Sequence, residues 1–313
     1  MSRKTHPAGH QQRGAALMTA MLIVAVGTIL ATNLLWRSTL DQRRTAAILA
    51  TDQGLQYVLG AEAWVGDILQ QDLVDSPDSD HLGEIWASQI EPLPIDGGFI
   101  YGEVSDLQGL FNLNNLVTRV GAEDPQMIEQ FERLLTSLGI DPGFTGAVVD
   151  WLDADNQPHF PYGGEDDVYS RSEPPYLVAN GLMTSPTELL AINGFDPETY
   201  ALLAPYVTAL PRGTRLNVNT APALVLQSLS EEINPQIAES LIEERENVGF
   251  ASVTTTFQGL VSEEILPRID GVTDHFLLSG RVTIGDTQLT ISSVLQRDPS
   301  GVTRVLFRSF GDL

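Results

Sequence analysis

The chain has 313 residues, with 17 Lys and Arg against 41 Asp and Glu, a formal net charge of −24, 42% hydrophobic residues and no cysteine. That charge argues against a nucleic-acid backbone as the main partner, since neutralising phosphates needs clustered Lys and Arg. The missing cysteine excludes disulfides, thiolate zinc sites and cysteine nucleophiles, and leaves hard, oxygen-seeking cations as the natural metal partners of so much carboxylate.

Residues 1–14 (MSRKTHPAGHQQRG) carry Arg3, Lys4 and Arg13 and no acidic residue. Ala15 to Trp36 follow without a charge. As a helix this stretch spans about 30 Å, the thickness of a bilayer's hydrocarbon core. The basic flank predicts a cytoplasmic N-terminus with the bulk of the chain outside. The run is too long for the roughly 7–15-residue core of a cleaved secretory signal, so the expectation is a single-pass membrane chain. The helical pattern continues: Leu55, Val58, Leu59, Val65, Ile68 and Leu69 fall on about half of a helix circumference, and no proline occurs between Ala15 and Pro77. The spacing predicts that the membrane helix runs on as an amphipathic helix packed on a folded domain, with bends at Gly54, Gly60 and Gly66.

Residues 75–98 read as an acidic loop holding a short helix. Strands are expected at Phe99 to Val104 and around Leu110 to Val117. From about 119 to 271 the pattern is helical, with an internal echo at 134–152, 188–207 and 225–244. Each copy is a helix, an apolar residue (Ile140, Phe195, Ile233), an Asp or Asn followed by Pro, and a second helix. Asp141, Asp196 and Asn234 suit the N-cap and the following prolines suit the first helical position. Ser185 to Glu188 reads as a capping box. The last 40 residues alternate and are rich in β-branched side chains. Gly285-Asp286 and Asp298 to Gly301 supply turns, which predicts a three-stranded antiparallel meander. The economical arrangement sets all the strands in one sheet on the N-terminal helix, with the helical region inserted between two strands.

These residues resemble a known family. Arg13-Gly14 before an unbroken apolar helix resembles a prepilin-type leader, cut after the glycine. A long helix leading into a small antiparallel sheet is the pilin plan. Arg43-Arg44-Thr45, Gly60 to Trp64, Asp150 to Asp155, Asn180-Gly181 and Leu216 to Pro222 resemble, in order, the K-subunit minor pseudopilins of type II secretion systems. The resemblance implies an α+β, pilin-like fold: a long N-terminal helix, half of it transmembrane, on a small antiparallel sheet, with a large all-α domain inserted between strands. The parts would be a leader at 1–14, a membrane segment at 15–36, a first pilin-like part at 37–118, a helical insertion at 119–271 and C-terminal strands at 272–313. It implies processing by prepilin peptidase between Gly14 and Ala15, with methylation of the new terminus. The chain would lie in the inner membrane of a Gram-negative bacterium with its bulk in the periplasm. Its partners would be the I and J minor pseudopilins, the major pseudopilin and the inner-membrane assembly platform. It would act at the pseudopilus tip and help initiate assembly for protein export. Counting from Ala15, the fifth residue is Thr19, where most pilin-like subunits carry a Glu that pairs with the amine of the preceding subunit. The K subunit typically lacks that Glu, which suits a subunit with no partner above it, because a buried unpaired carboxylate in a bilayer is costly.

The densest polar cluster, residues 150–173, holds Asp150, Asp153, Asp155, Glu165, Asp166, Asp167 and Glu173 against a single Arg. Asp153-x-Asp155-x-Gln157 opens like an EF-hand loop, but Pro158 and Gly164 stand where that loop needs Gly and Glu. Carboxylates this dense repel one another unless a cation or solvent screens them. Ca²⁺, with six to eight oxygen ligands and tolerance of irregular geometry, is the expected ion, and the resemblance points to the same ion in the inserted domain. His159 beside these acids is a conceivable zinc ligand. No catalytic motif is present, so no enzyme activity is expected. The hairpins resemble helix–hairpin–helix DNA modules, but 188–207 and 225–244 contain no Lys or Arg, so the phosphate attraction is missing and no nucleic-acid partner is expected. Two other readings remain open on the residues alone. One is a signal-anchored periplasmic Ca²⁺-dependent binding protein; the other is a type IV pilus or DNA-uptake minor pilin, which would need a basic surface.

Overall fold

A computed structural model describes residues 11–88 and 91–311, with side chains from Ala15 onward. The expected leader therefore lies, over residues 1–10, outside the described residues. Helix α1 (Gln11–Asp75) is unbroken for 65 residues, about 97 Å. It ends just before Pro77. Its apolar first part packs on nothing: Leu17, Leu22, Leu35 and Trp36 are all about two-thirds exposed. The last third lies on the sheet and buries Val58, Val65 and Leu69, with Leu55 and Ile68 partly covered. Leu59 turns outward instead, and Glu62 takes a place on the buried face. The expected bends are not needed. Gly54 and Gly66 face Leu289 and Thr303, Gly60 faces open space, and helical structure runs through all three.

The sheet has five antiparallel strands, β1 (Leu93–Ile95) and β2 (Gly98–Asp106) followed far along the chain by β7 (His275–Ile284), β8 (Thr287–Arg297) and β9 (Thr303–Phe310). β2 pairs with β7 from Gly98↔Ile284 to Asp106↔Phe276. This register places Val104, Leu278 and Leu295 against Val65, Leu69 and Trp86. One buried polar contact crosses this layer. The Glu62 carboxylate accepts from Arg308 Nε (2.8 Å), Arg308 Nη2 (2.5 Å) and Ser293 Oγ (2.6 Å). Burial pushes its pKa up, and the bonds from Arg308 and Ser293 more than offset this, holding it below the usual value.

Between β2 and β7 the chain builds a second core. It comprises α2 (Pro125–Ser137), α3 (Phe144–Leu152), α4 (Asp166–Tyr169), α5 (Pro197–Leu203), α6 (Ala223–Ser228), α7 (Pro235–Arg245) and α8 (Val253–Phe257). Phe131, Leu134, Val148, Leu189, Leu203, Val225 and Phe257 form its centre. The caps follow local chemistry: Asp196 accepts from Thr199 N (2.7 Å) and Asn234 from Ile237 N (3.0 Å). Asp141 accepts from Gly143 N (2.9 Å), with α3 starting one residue later. In the second copy the leading helix is a 3-10 segment, Pro186–Ala191. Ser185 caps it, while Glu188 accepts from Thr184 N rather than Ser185 N.

The strand expected around 110–117 shrinks to β3 (Phe111–Asn112), which pairs in parallel with β4 (Val207–Thr208). Leu113–Leu116 then winds into a 3-10 turn. Asn112 Oδ1 accepts from Asn114 N, and the side-chain amides of Asn114 and Asn115 donate to the carbonyls of Met183, Leu210 and Thr214. Side-chain bonds of this kind compete with a ladder and win here.

The two cores meet at a buried polar junction. β5 (Leu216–Asn217) pairs in parallel with β6 (Ile269–Asp270). Asn217 Nδ2 donates to Asp106 Oδ2 (2.8 Å) and Asp80 O (3.0 Å), and Thr220 and Thr273 hydroxyls also donate to Asp106. Burial nevertheless raises the Asp106 pKa to about 6. Beside it, Arg297, 3% exposed, donates to Asp72 (3.0 Å), Asp80 (2.5 Å) and the carbonyls of Leu69 and Thr273. Burial, Glu84 and Asp80 hold Asp72 up at about 7 against the pull of Arg297. Removing the cation from such a cluster leaves uncompensated buried charge. Arg297→Met is expected to lower stability by about 3–5 kcal/mol in denaturant unfolding at pH 8, and by less at pH 5, where Asp72 is protonated. A loss independent of pH would contradict this account.

Candidate metal centre

Helix α3 is buried on nearly every side, since Ala147, Val148, Val149, Trp151 and Leu152 all enter the second core. Its polar position, Asp150, is fully buried, and Asp153 closes the helix at 2% exposure. The chain then loops out and returns to α4, where Tyr169 stacks edge-on against Trp151 with centroids 5.4 Å apart. This aromatic contact holds the two ends of the acidic loop together. Gly163 permits the close return: a Cβ there would lie 2.3 Å from Asp150 Oδ2 and 2.2 Å from His159 O.

Four of the seven carboxylates come together. Asp153, Asp155 and Glu165 place oxygens within 4.8 Å of one another, and so do Asp150, Asp153 and the ring of His159. Asp150 takes the His159 backbone N–H (3.1 Å) and a short contact from His159 Nδ1, while His159 Nε2 lies 2.9 Å from Glu123 Oε1. Asp155 accepts from Gln157 N (2.8 Å). The other three stand apart. Asp166 accepts from Val178 N (3.2 Å), Asp167 pairs with Arg171 (3.5 Å) and Glu173 is exposed. They turn away because α4 and the segment after it direct them outward. His159, set beside these acids in the sequence, does meet Asp150, whereas Glu123 escapes sequence reasoning because it is 36 residues from the imidazole it meets.

The electrostatics are those of anions lacking a counter-charge. Burial, then Asp155 and Asp150, push Asp153 up to about 6. Burial, then Asp150, Asp153, Asp155 and Asp166, push Glu165 up to about 7. Asp153 Oδ1 and both Glu165 carboxylate oxygens are buried without a hydrogen-bond partner. A buried acceptor left unmet is destabilising, and these three converge with Asp155. The donor set is almost all oxygen and it is irregular, which fits a hard divalent cation; Asp153, Asp155 and Glu165 would be its first ligands and Asp150 a further one. The other buried acidic group among the described residues, Asp72, Asp80 and Glu84, has Arg297 as its cation.

Two family models described as type II secretion system (T2SS), protein K match residues 109–212 and 216–266. A type II secretion system protein K from Pseudomonas aeruginosa is 36% identical, over 96% of this chain and 93% of its own length. The protein of that name from Aeromonas hydrophila is 34% identical over 93% of this chain and 95% of its own. Among solved structures, a chain of the GspK-GspI-GspJ complex from enterotoxigenic Escherichia coli superposes with a TM-score of 0.77 at 25% identity, covering 86% of this chain and all of that one.

The raised Glu165 pKa fixes a pH dependence for the ion-free protein. The folded form keeps this proton up to about pH 7, whereas the unfolded chain releases it near the ordinary value of 4.5. The folded state is therefore favoured at low pH, and that stability is lost as pH rises through the folded pKa. With a chelator present, Glu165→Gln is expected to melt above the parent at pH 8 and to match it near pH 5. A variant less stable than the parent at pH 8 would refute the electrostatic account.

Proposed function

The chain belongs to the type II secretion system protein K family, as a minor pseudopilin, and on that premise we propose that it occupies the tip of the pseudopilus and helps to initiate its assembly. The observation that carries this reading is at Thr19. Its hydroxyl donates to Ala15 O (3.1 Å) and Ala16 O (3.0 Å) of its own helix. At the depth where most pilin-like subunits present a carboxylate to a neighbour's amine, this helix carries a hydroxyl satisfied within its own turn and offers no carboxylate to a subunit above it. The bulk of the second core, joined at the end of α1 farthest from the membrane segment, also favours a terminal place.

The bare apolar surface of Ala15 to Trp36 supports insertion in the inner membrane, with the remainder in the periplasm. Cleavage by prepilin peptidase after Gly14 would make Ala15 the first residue and free the helix to leave the bilayer and join a filament. The neighbouring solved complex contains I and J subunits, and this chain is taken to assemble with their counterparts, with the major pseudopilin and with the membrane platform. The work is mechanical and recognitional, without turnover. Pseudopili assembled with every subunit present are expected to carry one copy of this chain, at an end, with an N-terminal peptide whose mass starts at Ala15. Label distributed along the filament would overturn the tip assignment.

The acidic cluster then takes Ca²⁺. The supporting observation is the three buried, unpartnered oxygens of Asp153 and Glu165 beside Asp155. The ion would neutralise the repelling carboxylates and fasten the loop between α3 and α4. Ca²⁺ is expected to raise the melting temperature, by the equivalent of about 2.7 kcal/mol at a hundredfold excess over Kd. Asp155→Ala with Glu165→Ala should abolish the shift. A melting temperature indifferent to both Ca²⁺ and chelator would exclude the site.

A further inference from the structure

Arginine is unevenly placed on this acidic chain. Between residues 109 and 271 there are seven, at 119, 133, 171, 212, 215, 245 and 268. Four of them, Arg119, Arg212, Arg215 and Arg268, surround one depression of about 260 Å³, and Arg212 and Arg215 also wall an adjoining one of about 510 Å³. Arg215 is paired with Asp270 (2.8 Å) and Arg268 with Asp124 (2.7 Å). Among the described residues, neither Arg119 nor Arg212 has a carboxylate within 4 Å, so the depression carries two uncompensated cations.

The turn that presents Arg212 is rigidly built. Asn115 Oδ1 accepts from Gly213 N (2.7 Å) and Asn115 Nδ2 donates to Thr214 O (3.0 Å). Asn112 Nδ2 donates to Pro211 O (3.0 Å) and the Thr214 hydroxyl closes the turn on the same carbonyl (2.7 Å). Gly213 sits at φ +80°, a conformation that disfavours any side chain. Arg212 Nη1 donates across to Thr118 O (2.8 Å), bringing the segment that bears Arg119 alongside, while Arg212 Nε is buried with no partner. Two asparagines thus hold an arginine turn in one conformation at the surface. Fixed donors of this kind bind carboxylates with little loss of conformational entropy.

Position narrows the choice of anion. Leu73, which lines the larger depression, is 37 residues beyond Trp36 on one unbroken helix, about 55 Å from the end of the apolar segment. Headgroups of the membrane that holds this helix are out of reach. We propose that the depression is a docking site for an acidic segment of a partner protein, whose neighbouring Asp or Glu carboxylates bridge Arg119 and Arg212. The net charge of −24 does not forbid this, because at physiological ionic strength charges more than about 8 Å away are largely screened. The site is independent of the tip assignment and of the Ca²⁺ cluster, so its failure and theirs are separate results.

The test is binding of a fluorescein-labelled hexaglutamate peptide to the full chain in detergent, read by anisotropy. Saturable binding is expected, weakening as salt is raised, with Arg119→Glu reducing affinity about tenfold or more. Arg119 is exposed and makes no side-chain hydrogen bond among the described residues, so this change leaves the fold alone, and an unaltered melting temperature checks that. Arg281→Glu, the same charge reversal at an exposed β7 position, is expected to change nothing. Equal loss in both variants would reduce the effect to net charge and overturn the proposal, as would absence of saturable binding. Displacement of the peptide by millimolar inorganic phosphate would reassign the depression to small anions.

Discussion

The guanidinium of Arg297 lies between Asp72 and Asp80 with almost no access to water, stacked over the Phe276 ring at 5.1 Å. Through it the end of α1, the loop after α1, the last turn of β8 and the entry to β7 share one charge cluster. Asp106 and Asn217 extend the same polar seam into the helical core. Buried ion networks add less stability than their short distances suggest, because desolvation offsets most of the attraction. Their strength is directional, since a mismatched arrangement leaves charges stranded. The two cores are therefore held in one mutual orientation by polar geometry at the seam, while apolar burial stabilises each core within itself.

The acidic loop shows the opposite balance. At the seam every carboxylate of the central pair has found its cation, whereas Asp153 Oδ1 and both Glu165 oxygens are buried with no hydrogen-bond partner. Trp151 and Tyr169 pack edge-on where the loop leaves and returns, and these oxygens lie buried beside them. The hydrophobic contacts thus hold an electrostatic deficit in place, and the proposed cation would answer it. The same chain that strands anions here leaves Arg119 and Arg212 without a carboxylate, Arg212 on a turn equally fixed by its neighbours.

How much was legible in the sequence follows the range of the interaction concerned. The helix starts at Asp196-Pro197 and Asn234-Pro235, the C-terminal meander and the continuous first helix rest on contacts within a few residues, and all are visible as local patterns. Asp150, Asp153, Asp155 and Glu165 could be grouped because they are near in sequence, yet nothing local says that Asp166 and Asp167 turn outward with α4. The 3-10 turn at Leu113–Leu116 reads as a strand because the carbonyls that capture Asn114 and Asn115 lie 69 to 99 residues away. Glu62 reads as a polar residue on a helix face; its guanidinium partner is 246 residues distant. Buried polar pairs of high separation are the part of a fold that a single sequence conceals most thoroughly.

The pairing of β2 with β7 also sets a schedule. β2 ends at Asp106 and its partner begins at His275, so the middle of the sheet cannot zip until the whole intervening segment has emerged and collapsed into its own core. Pairings of such separation carry a large loop entropy and form late. Until then the amphipathic face of α1 has no complete sheet to cover. The order of synthesis thus leaves the cover for α1 to the final strands, and a chain truncated before β7 would keep its helical core but lack the sheet that joins it to α1.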